Sequence, residues 1–148
     1  MLVMEQTVSN RRDEGSPTIL LVEDFDDTRL MMKMWLMRHG YRVLEAETGQ
    51  EGVEVAQRER PDLIIMDMMM PGMNGLDATQ RIRQDRDLRQ TPIVAVSAYG
   101  IDEYRRIALA AGCNEYVSTP FEPTSLADLI KTLLDDAPPD LNETCSGH

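Results

Sequence analysis

Acidic side chains directly follow two strongly apolar runs in this sequence, and they are the residues best suited to do chemistry. Glu23 and Asp24 come after the run at 18–22, and Asp67 comes after the run at 63–66. Carboxylates gathered in one place repel one another, so a positive ion should offset them. Oxygen ligands without a nearby histidine or cysteine suit a hard ion such as Mg²⁺. A carboxylate beside such an ion can act as a nucleophile toward phosphorus.

Two further acids and a serine extend this set. Asp26 and Asp27 lie just beyond the acidic pair, where they are expected to cap the following helix or to favour its positive N-terminal end. Ser97 ends another apolar run and could donate a hydrogen bond to an oxygen of a transferred group. We therefore expect Asp24 and Asp67 to be functional, and Asp26 and Asp27 to be structural.

The elements that must position these residues alternate five times between strand and helix patterns. The strand candidates are short apolar runs without polar alternation, which is typical of strands covered on both faces. A capping box from Thr48 to Glu51, together with glycines and prolines, marks where helices begin and end. The predicted strands are 18–22, 41–46, 62–66, 92–96 and 115–118, and the predicted helices are 26–39, 48–58, 75–84, 102–111 and a last helix from Pro123.

Strand–helix alternation with short connections predicts an α/β fold with parallel strands and right-handed crossovers. We expect a doubly wound (βα)5 three-layer sandwich, with a five-stranded parallel sheet in the flavodoxin-like strand order 2-1-3-4-5. In such a fold the carboxyl ends of the strands meet at one edge, where ligands bind. The acids and Ser97 should therefore gather at this edge.

Length and composition favour a single domain with a tail at each end. The chain has 148 residues, and we predict a domain at 18–136 between flexible tails at 1–17 and 137–148. The 15 basic and 26 acidic side chains give a net charge of −11, which argues against direct nucleic-acid binding. Cys113 and Cys145 are expected to be reduced thiols. No apolar run reaches the ~20 residues of a membrane span, and no signal peptide is visible, so we expect a cytoplasmic location.

Four motifs resemble those of response-regulator receiver domains of bacterial two-component systems, the chemotaxis-regulator type included. They are LLVEDF at 20–25, DLIIMDMMMPGMNG at 62–75, VSA at 96–98 and YVSTPF at 116–121. The resemblance runs from Ile19 to Leu134, and the second motif is highly specific. It implies a signalling domain rather than an enzyme. Such a domain accepts a phosphoryl group from a sensor histidine kinase or a histidine phosphotransfer protein and signals to a downstream protein by contact.

The resemblance also assigns roles at the acidic cluster. It implies that Asp67 is the phosphoacceptor and that the acidic pair Glu23 and Asp24 binds Mg²⁺, or Mn²⁺, together with Asp67. The backbone carbonyl of Met69 is expected to complete the protein's share of the metal ligands. Ser97 takes the position of the switch residue that contacts the phosphoryl group.

The last motif carries one match and one departure. Tyr116 has the position of the aromatic residue that turns inward on activation, and the Thr119–Pro120 bond falls where the family usually has a cis peptide. Before this proline the family has an almost obligatory lysine, whose contact with phosphoryl oxygens is worth roughly 1.5–3 kcal/mol. Lys33 and Lys131 look unable to replace it, and Arg29 is a possible substitute donor. We therefore expect metal binding to survive and the link from phosphate to the switch to be impaired.

The helix predicted at 26–39 is apolar on nearly all of its faces, so part of its apolar surface could contact a partner protein. The residues that align with the family's inward face are Thr28, Met31, Met32 and Trp35. That leaves Leu30, Met34 and Met37 on the outside. They are either an unusually apolar surface or a docking face for the helical bundle of a kinase or phosphotransfer protein.

Other classes of protein share this architecture. An FMN protein would need a Ser/Thr/Gly-rich phosphate loop where this chain has EDFDD. A haloacid-dehalogenase-like phosphatase has a second acid two residues after its strand-end aspartate, where this chain has Met69. The serious alternative is a pseudo-receiver, which has the same fold but acts as an interaction module with weak phosphorylation or none. Thr119 favours that alternative, whereas the intact Asp24, Asp67 and Ser97 favour phosphorylation.

Overall fold

The structure is a computed structural model that describes residues 15–98, 102–119 and 122–136. In chain order the elements are β1 (Thr18–Val22), α1 (Asp26–Arg38), β2 (Arg42–Ala46), α2 (Gly49–Glu59), β3 (Leu63–Asp67), α3 (Gly75–Arg83), a short 3₁₀ helix (Arg86–Leu88), β4 (Ile93–Ser97), α4 (Asp102–Ala111), β5 (Glu115–Ser118) and α5 (Pro123–Asp136). The predicted alternation is confirmed, and the predicted element ends differ from these by at most one residue. The tails expected to be flexible fall almost wholly outside the described ranges.

All five strands pair in parallel, in the order β2-β1-β3-β4-β5. This confirms the predicted doubly wound fold. The central strands β1, β3 and β4 are buried almost throughout, because helices cover both faces of the sheet. The register aligns their carboxyl ends: Val22 pairs with Met66, and Asp67 pairs with Val96. Residues that end or follow these strands therefore meet at one edge.

Side chains of each strand alternate between the two faces of the sheet and build two apolar layers. Ile19 and Leu21 face the layer covered by α1 and α5, here called the α1–α5 layer. Leu20 and Val22 face the layer covered by α2, α3 and α4, the α2–α4 layer. Tyr116 of β5 is half-buried and packs on the α2–α4 layer. Each fully buried aliphatic side chain contributes roughly 1.5–3 kcal/mol to folding, so the two layers together fix the sheet.

The inward face of α1 differs from the prediction at one residue. Met32 and Leu36 are buried, and Thr28 and Trp35 are half-buried, but Met31 is 69% exposed. The predicted inward position of Met31 is therefore wrong. Successive helix residues are about 100° apart, so a helix that turns Met32 and Leu36 toward the sheet turns Met31 toward solvent. Of the described helices, none is long and apolar enough to cross a membrane.

Candidate metal centre at the carboxyl edge of the sheet

Three carboxylates converge where β1 and β3 end. Glu23 and Asp24 follow β1 directly, and Asp67 is the last residue of the neighbouring strand β3. Each offers one oxygen, and these oxygens all lie within 4.8 Å of one another. Glu23 is only 9% exposed, Asp67 is half-buried and Asp24 is exposed, so solvent reaches the cluster. The structure thus brings together the predicted acidic pair and the predicted phosphoacceptor.

The loop after β3 orients Asp67. The backbone N–H of Met69 donates to Oδ1 of Asp67 at 3.0 Å. Gly75, the first residue of α3, lies so close to this loop that a Cβ there would collide with the carbonyl oxygen of Asp67 and with Met68. The motif at 62–75 therefore supplies both the acid and the close turn behind it. The role expected of the Met69 carbonyl stays a prediction.

The backbone of Glu23 is held at both of its polar groups. Its N–H donates to the carbonyl oxygen of Ala46 at 3.0 Å, which continues the β1–β2 pairing. Its carbonyl oxygen accepts a hydrogen bond of 2.9 Å from Nη1 of Arg29. The Glu23 carboxylate in turn accepts from the N–H of Phe25 at 3.2 Å. Glu23 therefore enters the cluster from a fixed main chain.

Burial and mutual repulsion raise the pKa values of the two less exposed acids. The pKa of Glu23 is raised to about 7, first because burial penalises its charge and next because the charge of Asp67 lies close by. The pKa of Asp67 is raised mainly by burial and also by the charge of Asp24, although the Met69 N–H opposes the shift. A cation beside the three oxygens would offset both causes.

The arrangement fits a hard divalent cation. Mg²⁺ binds oxygen at about 2.0–2.1 Å, so ligands on opposite sides of it lie roughly 4 Å apart. Oxygens within 4.8 Å of one another can reach a single ion with small side-chain adjustments. Carboxylates without histidine or cysteine favour Mg²⁺ or Mn²⁺ over softer metals. Because the side occupied by Asp24 is open, water or a phosphate oxygen can take the remaining coordination positions.

Ser97 and Thr119 lie at the same edge, on the next two strands. Ser97 ends β4, directly after the Val96 that pairs with Asp67, and is 3% exposed. Thr119 follows β5, and its N–H (2.8 Å) and hydroxyl (3.5 Å) both donate to the carbonyl oxygen of Ser97. The Thr119 side chain is thus turned to the backbone of β4. Pro120, and with it the predicted cis bond, lies outside the described ranges.

Arg29, considered above as a substitute for the missing lysine, is engaged elsewhere. Its guanidinium pairs with Asp26 at 2.7 Å, with Glu45 at 3.3 Å and with Glu47 at 3.7 Å. Glu45 and Glu47 lie at the end of β2, on one side of β1, whereas Asp67 ends β3 on the other side. The expectation that Arg29 donates to a phosphoryl group on Asp67 is therefore not supported. The pair with Asp26 is a local i,i+3 contact, but no local sequence signal indicated the contacts with Glu45 and Glu47, which lie on β2 and just after it.

The two acids assigned to helix stabilisation lie outside the cluster. Asp26 and Asp27 occupy the first turn of α1, where negative charge is favoured by the helix dipole. Neither is the cap residue, because Phe25 takes that position and forms no side-chain capping bond. Both are exposed, and Asp26 pairs with Arg29. The structure thus places them as the structural interpretation expects.

An exposed apolar surface lies on α1. Leu30 (55%), Met34 (48%) and Met37 (55%) are exposed as predicted, and Met31 joins them. These four residues are called the α1 surface below. Beside it, Met31, Met32, Trp35 and Pro123 line an apolar pocket of about 260 Å³. The apolar surface therefore extends from α1 to the start of α5.

Comparison with known proteins gives consistent results. Residues 19–131 match the response regulator receiver domain family. The protein PilH of Pseudomonas aeruginosa is 31% identical over 116 residues, which cover 78% of this chain and 96% of PilH. The transcriptional regulatory protein AfsQ1 of Streptomyces coelicolor is 35% identical over 118 residues, covering 80% of this chain and 51% of AfsQ1. This chain therefore spans about half the length of AfsQ1.

A solved structure that shares this fold contains a metal ion. It is the receiver domain of the sensor histidine kinase PA1611 from Pseudomonas aeruginosa PAO1, with a magnesium ion coordinated in its active-site cleft. It is 33% identical, has a TM-score of 0.77, and the likeness covers 82% of this chain and all of that one. The region matched to the family contains the whole acidic cluster. The chain therefore belongs to the response regulator receiver domains of two-component signalling.

Proposed function

We propose that this chain takes up a phosphoryl group on Asp67, with Mg²⁺ or Mn²⁺, from a phosphohistidine of a sensor histidine kinase or a histidine phosphotransfer protein. The observation that carries the proposal is the convergence of the Glu23, Asp24 and Asp67 oxygens within 4.8 Å at a solvent-accessible edge. The magnesium ion in the cleft of the PA1611 receiver domain supports the choice of metal. A cytoplasmic location is part of the same proposal and is in keeping with the free, buried thiol of Cys113.

The transfer step follows from the position of Asp67. One of its carboxylate oxygens attacks phosphorus, the P–N bond to the donor imidazole breaks, and the electron pair of that bond returns to the ring nitrogen. The N–H of Met69 holds the attacking carboxylate in place. Glu23, Asp24 and the Met69 carbonyl are the further groups proposed to hold the metal, which when bound neutralises charge on the phosphoryl oxygens.

The response to phosphorylation is assigned to Ser97 and Tyr116. The hydroxyl of Ser97 would donate to a phosphoryl oxygen, because Ser97 ends the strand next to Asp67. Tyr116 packs on the α2–α4 layer, where a change of its position would alter the surface formed by α4 and β5. This surface would then contact a downstream protein. Direct binding of nucleic acid is not part of the proposal, because the chain carries a net charge of −11.

The α1 surface is proposed as the docking face for the phosphodonor. Three of its residues, Leu30, Met34 and Met37, follow helical spacing and are each about half exposed. An apolar stripe of this kind suits packing against a helix of a partner. α1 also begins at Asp26, just after the acidic pair, so a partner helix packed along this stripe would extend toward the edge of the sheet that carries Asp67.

The test is intact-mass measurement after incubation with acetyl phosphate and Mg²⁺. Wild type should gain the mass of one phosphoryl group, and Asp67→Asn should gain none. Asp27→Asn is the matched control, because it removes an exposed acid that is near in sequence but outside the cluster. Uptake by Asp67→Asn equal to that of wild type would rule out Asp67 as the acceptor.

Thr119 supports a second candidate function. In a pseudo-receiver the same fold binds a partner whether or not Asp67 is phosphorylated, and the neutral side chain of Thr119 is engaged with the backbone of β4. The two functions differ in one observable. Partner affinity should change on phosphorylation in a switching receiver and stay constant in a pseudo-receiver.

A further inference from the structure

Arg29 is a cation enclosed by acids at the base of the loop that carries the acidic pair. Its side chain is only 12% exposed. Nη2 pairs with Asp26 at 2.7 Å, and Nε pairs with Glu45 at 3.3 Å. Glu47 lies 3.7 Å from Nη2 and so contributes a longer contact. One guanidinium thereby joins the first turn of α1 to the end of β2.

The remaining nitrogen of Arg29 reaches the main chain of a proposed metal ligand. Nη1 donates to the carbonyl oxygen of Glu23 at 2.9 Å. On the other side of the same residue, the Glu23 N–H donates to Ala46 at 3.0 Å. Phe25, the N-cap residue of α1, forms no side-chain capping hydrogen bond, so the start of the helix is not fixed in that way. The hydrogen bonds to β2 and to Arg29 therefore hold the main chain of Glu23 at both of its polar groups. They set the direction in which its side chain points.

We infer that Arg29 is a positioning residue for the metal site, acting by holding the Glu23 main chain so that its carboxylate meets those of Asp24 and Asp67. The inference rests on the proposed metal site. The planar guanidinium suits this role, because it presents several donors in fixed directions to acceptors on different elements. Three acids surround the guanidinium and largely offset its charge. Arg29 therefore contributes to the metal site through its geometry.

Lys33 provides a matched comparison on the same helix. Its Nζ pairs with Glu45 at 2.8 Å, so it belongs to the same group of ion pairs between α1 and β2. In contrast, it is Arg29 that donates the hydrogen bond to the Glu23 carbonyl oxygen. A substitution of Lys33 therefore weakens the same link between α1 and β2 and spares the contact that the inference depends on.

The experiment measures Mn²⁺ binding to the full chain by EPR of the free ion, for wild type, Arg29→Gln and Lys33→Gln, together with thermal melts in EDTA. Loss of an outer partner of a metal ligand typically weakens metal binding about 10–100-fold. Arg29→Gln should weaken Mn²⁺ binding about 10-fold at a temperature where the variant is fully folded, and Lys33→Gln should change it less than about 2-fold. Saturating Mg²⁺ should restore phosphoryl uptake from acetyl phosphate in Arg29→Gln, because only the metal requirement has changed.

Three results would overturn the inference. If Arg29→Gln lowers the melting temperature but binds Mn²⁺ as tightly as wild type, Arg29 stabilises the fold and does not position Glu23. An equal loss of affinity in both variants would show that the link between α1 and β2 matters as a whole. Failure of the wild type itself to bind Mn²⁺ would also remove the proposed metal site, which separates that outcome from the other two.

Discussion

Glu23 and Asp67 share an edge of the sheet where burial raises the pKa of both carboxyl groups. A protonated carboxyl is a poor nucleophile, because the proton occupies an oxygen lone pair and removes the negative charge. A cation bound by the cluster favours the ionised forms of both acids. On the proposed function, a bound metal would therefore favour the ionised form of Asp67 that attacks phosphorus, and it would relieve the repulsion within the cluster in the same event.

On the proposed function, the residue at position 119 would determine whether a fixed positive charge accompanies the phosphoryl group. The Thr119 hydroxyl is short and neutral, and it is directed at the carbonyl oxygen of Ser97. After transfer, Asp67 would carry an acyl phosphate whose oxygens meet the metal and the Ser97 hydroxyl but no ammonium from this position. The phosphorylated state is therefore expected to be less stabilised than it would be with a lysine here.

The substitution Thr119→Lys should increase the yield or the lifetime of phosphorylated Asp67 with acetyl phosphate as donor. A charge-assisted contact worth roughly 1.5–3 kcal/mol corresponds to a gain of about tenfold or more. Intact mass, followed over time after removal of the donor, measures both quantities. Thr119→Gln is the control for side-chain length without charge. Lysine and glutamine variants that both match wild type would show that position 119 does not limit phosphorylation.

At the scale of a single element, α1 combines two tasks. Its inner side, Met32 and Leu36, packs on the sheet, and its outer side carries the α1 surface. Exposed apolar side chains add nothing to the core, so their presence on four positions of one helix favours contact with a partner. Three of the four are methionines, whose flexible side chains adapt to different partner surfaces.

The substitution Met34→Glu should reduce phosphotransfer from the cognate phosphohistidine protein by about tenfold or more while leaving the fold intact. A charge in the centre of an apolar contact must be desolvated without a partner, which costs several kcal/mol in a tight interface. Transfer rates from the phosphorylated donor give the measurement. Uptake from acetyl phosphate should stay unchanged, because this small donor needs no docking face.

Ile107→Glu provides the matched control for Met34→Glu. Ile107 is 41% exposed on α4, on the opposite side of the sheet, so this variant introduces the same charge on a different exposed apolar residue. Its transfer rate should equal that of wild type. Similar losses in both variants, or none in Met34→Glu, would count against the α1 surface as the docking face.

Most elements were predictable because their signals are local. The buried strands appear as unbroken apolar runs, and the Thr48 hydroxyl caps α2 by accepting from the Glu51 N–H at 3.0 Å, as the capping box indicates. Once the strand order was predicted, the convergence of Asp24 and Asp67 followed from it. Met31 and Arg29 were not predictable in the same way. A nearly all-apolar helix leaves its inward face ambiguous, and the partners of Arg29 on β2 come from tertiary packing.

At the scale of the whole molecule, the acidic cluster affects the stability of the fold. The metal-free protein holds three carboxylates together at the end of its sheet, and their repulsion must be offset by the apolar layers on both faces. The cost depends on pH, because a protonated Glu23 no longer repels its neighbours. A bound cation removes most of this cost by interacting with the folded state alone.

The contribution of Glu23 to the free energy of unfolding of the metal-free protein should decrease as pH rises from about 4.5 to about 7. In the folded state the pKa of Glu23 is about 7, above its ordinary value of 4.5, so in this interval the folded protein retains a proton that the unfolded chain has lost. Raising the pH therefore favours the unfolded state. The contribution becomes constant only about one pH unit above the folded-state pKa, where Glu23 is ionised in both states.

Urea unfolding in EDTA at several pH values, with Glu23→Gln as the reference that lacks the titrating group, measures this contribution. Excess Mg²⁺ at pH 8 should raise the unfolding free energy of wild type by about 2–3 kcal/mol when the ion is present at roughly 100 times its Kd. Parallel pH profiles for wild type and Glu23→Gln would contradict the raised pKa.

The two apolar layers separate the α1 surface from Tyr116, since α1 packs on the α1–α5 layer and Tyr116 packs on the α2–α4 layer. A donor held against α1 leaves the side formed by α4 and β5 uncovered. On the proposed function, delivery of the phosphoryl group and its readout would then overlap in time, with donor and target bound to the same molecule at once. A short-lived acyl phosphate would be sufficient under this arrangement, because the target protein could respond before the donor dissociates.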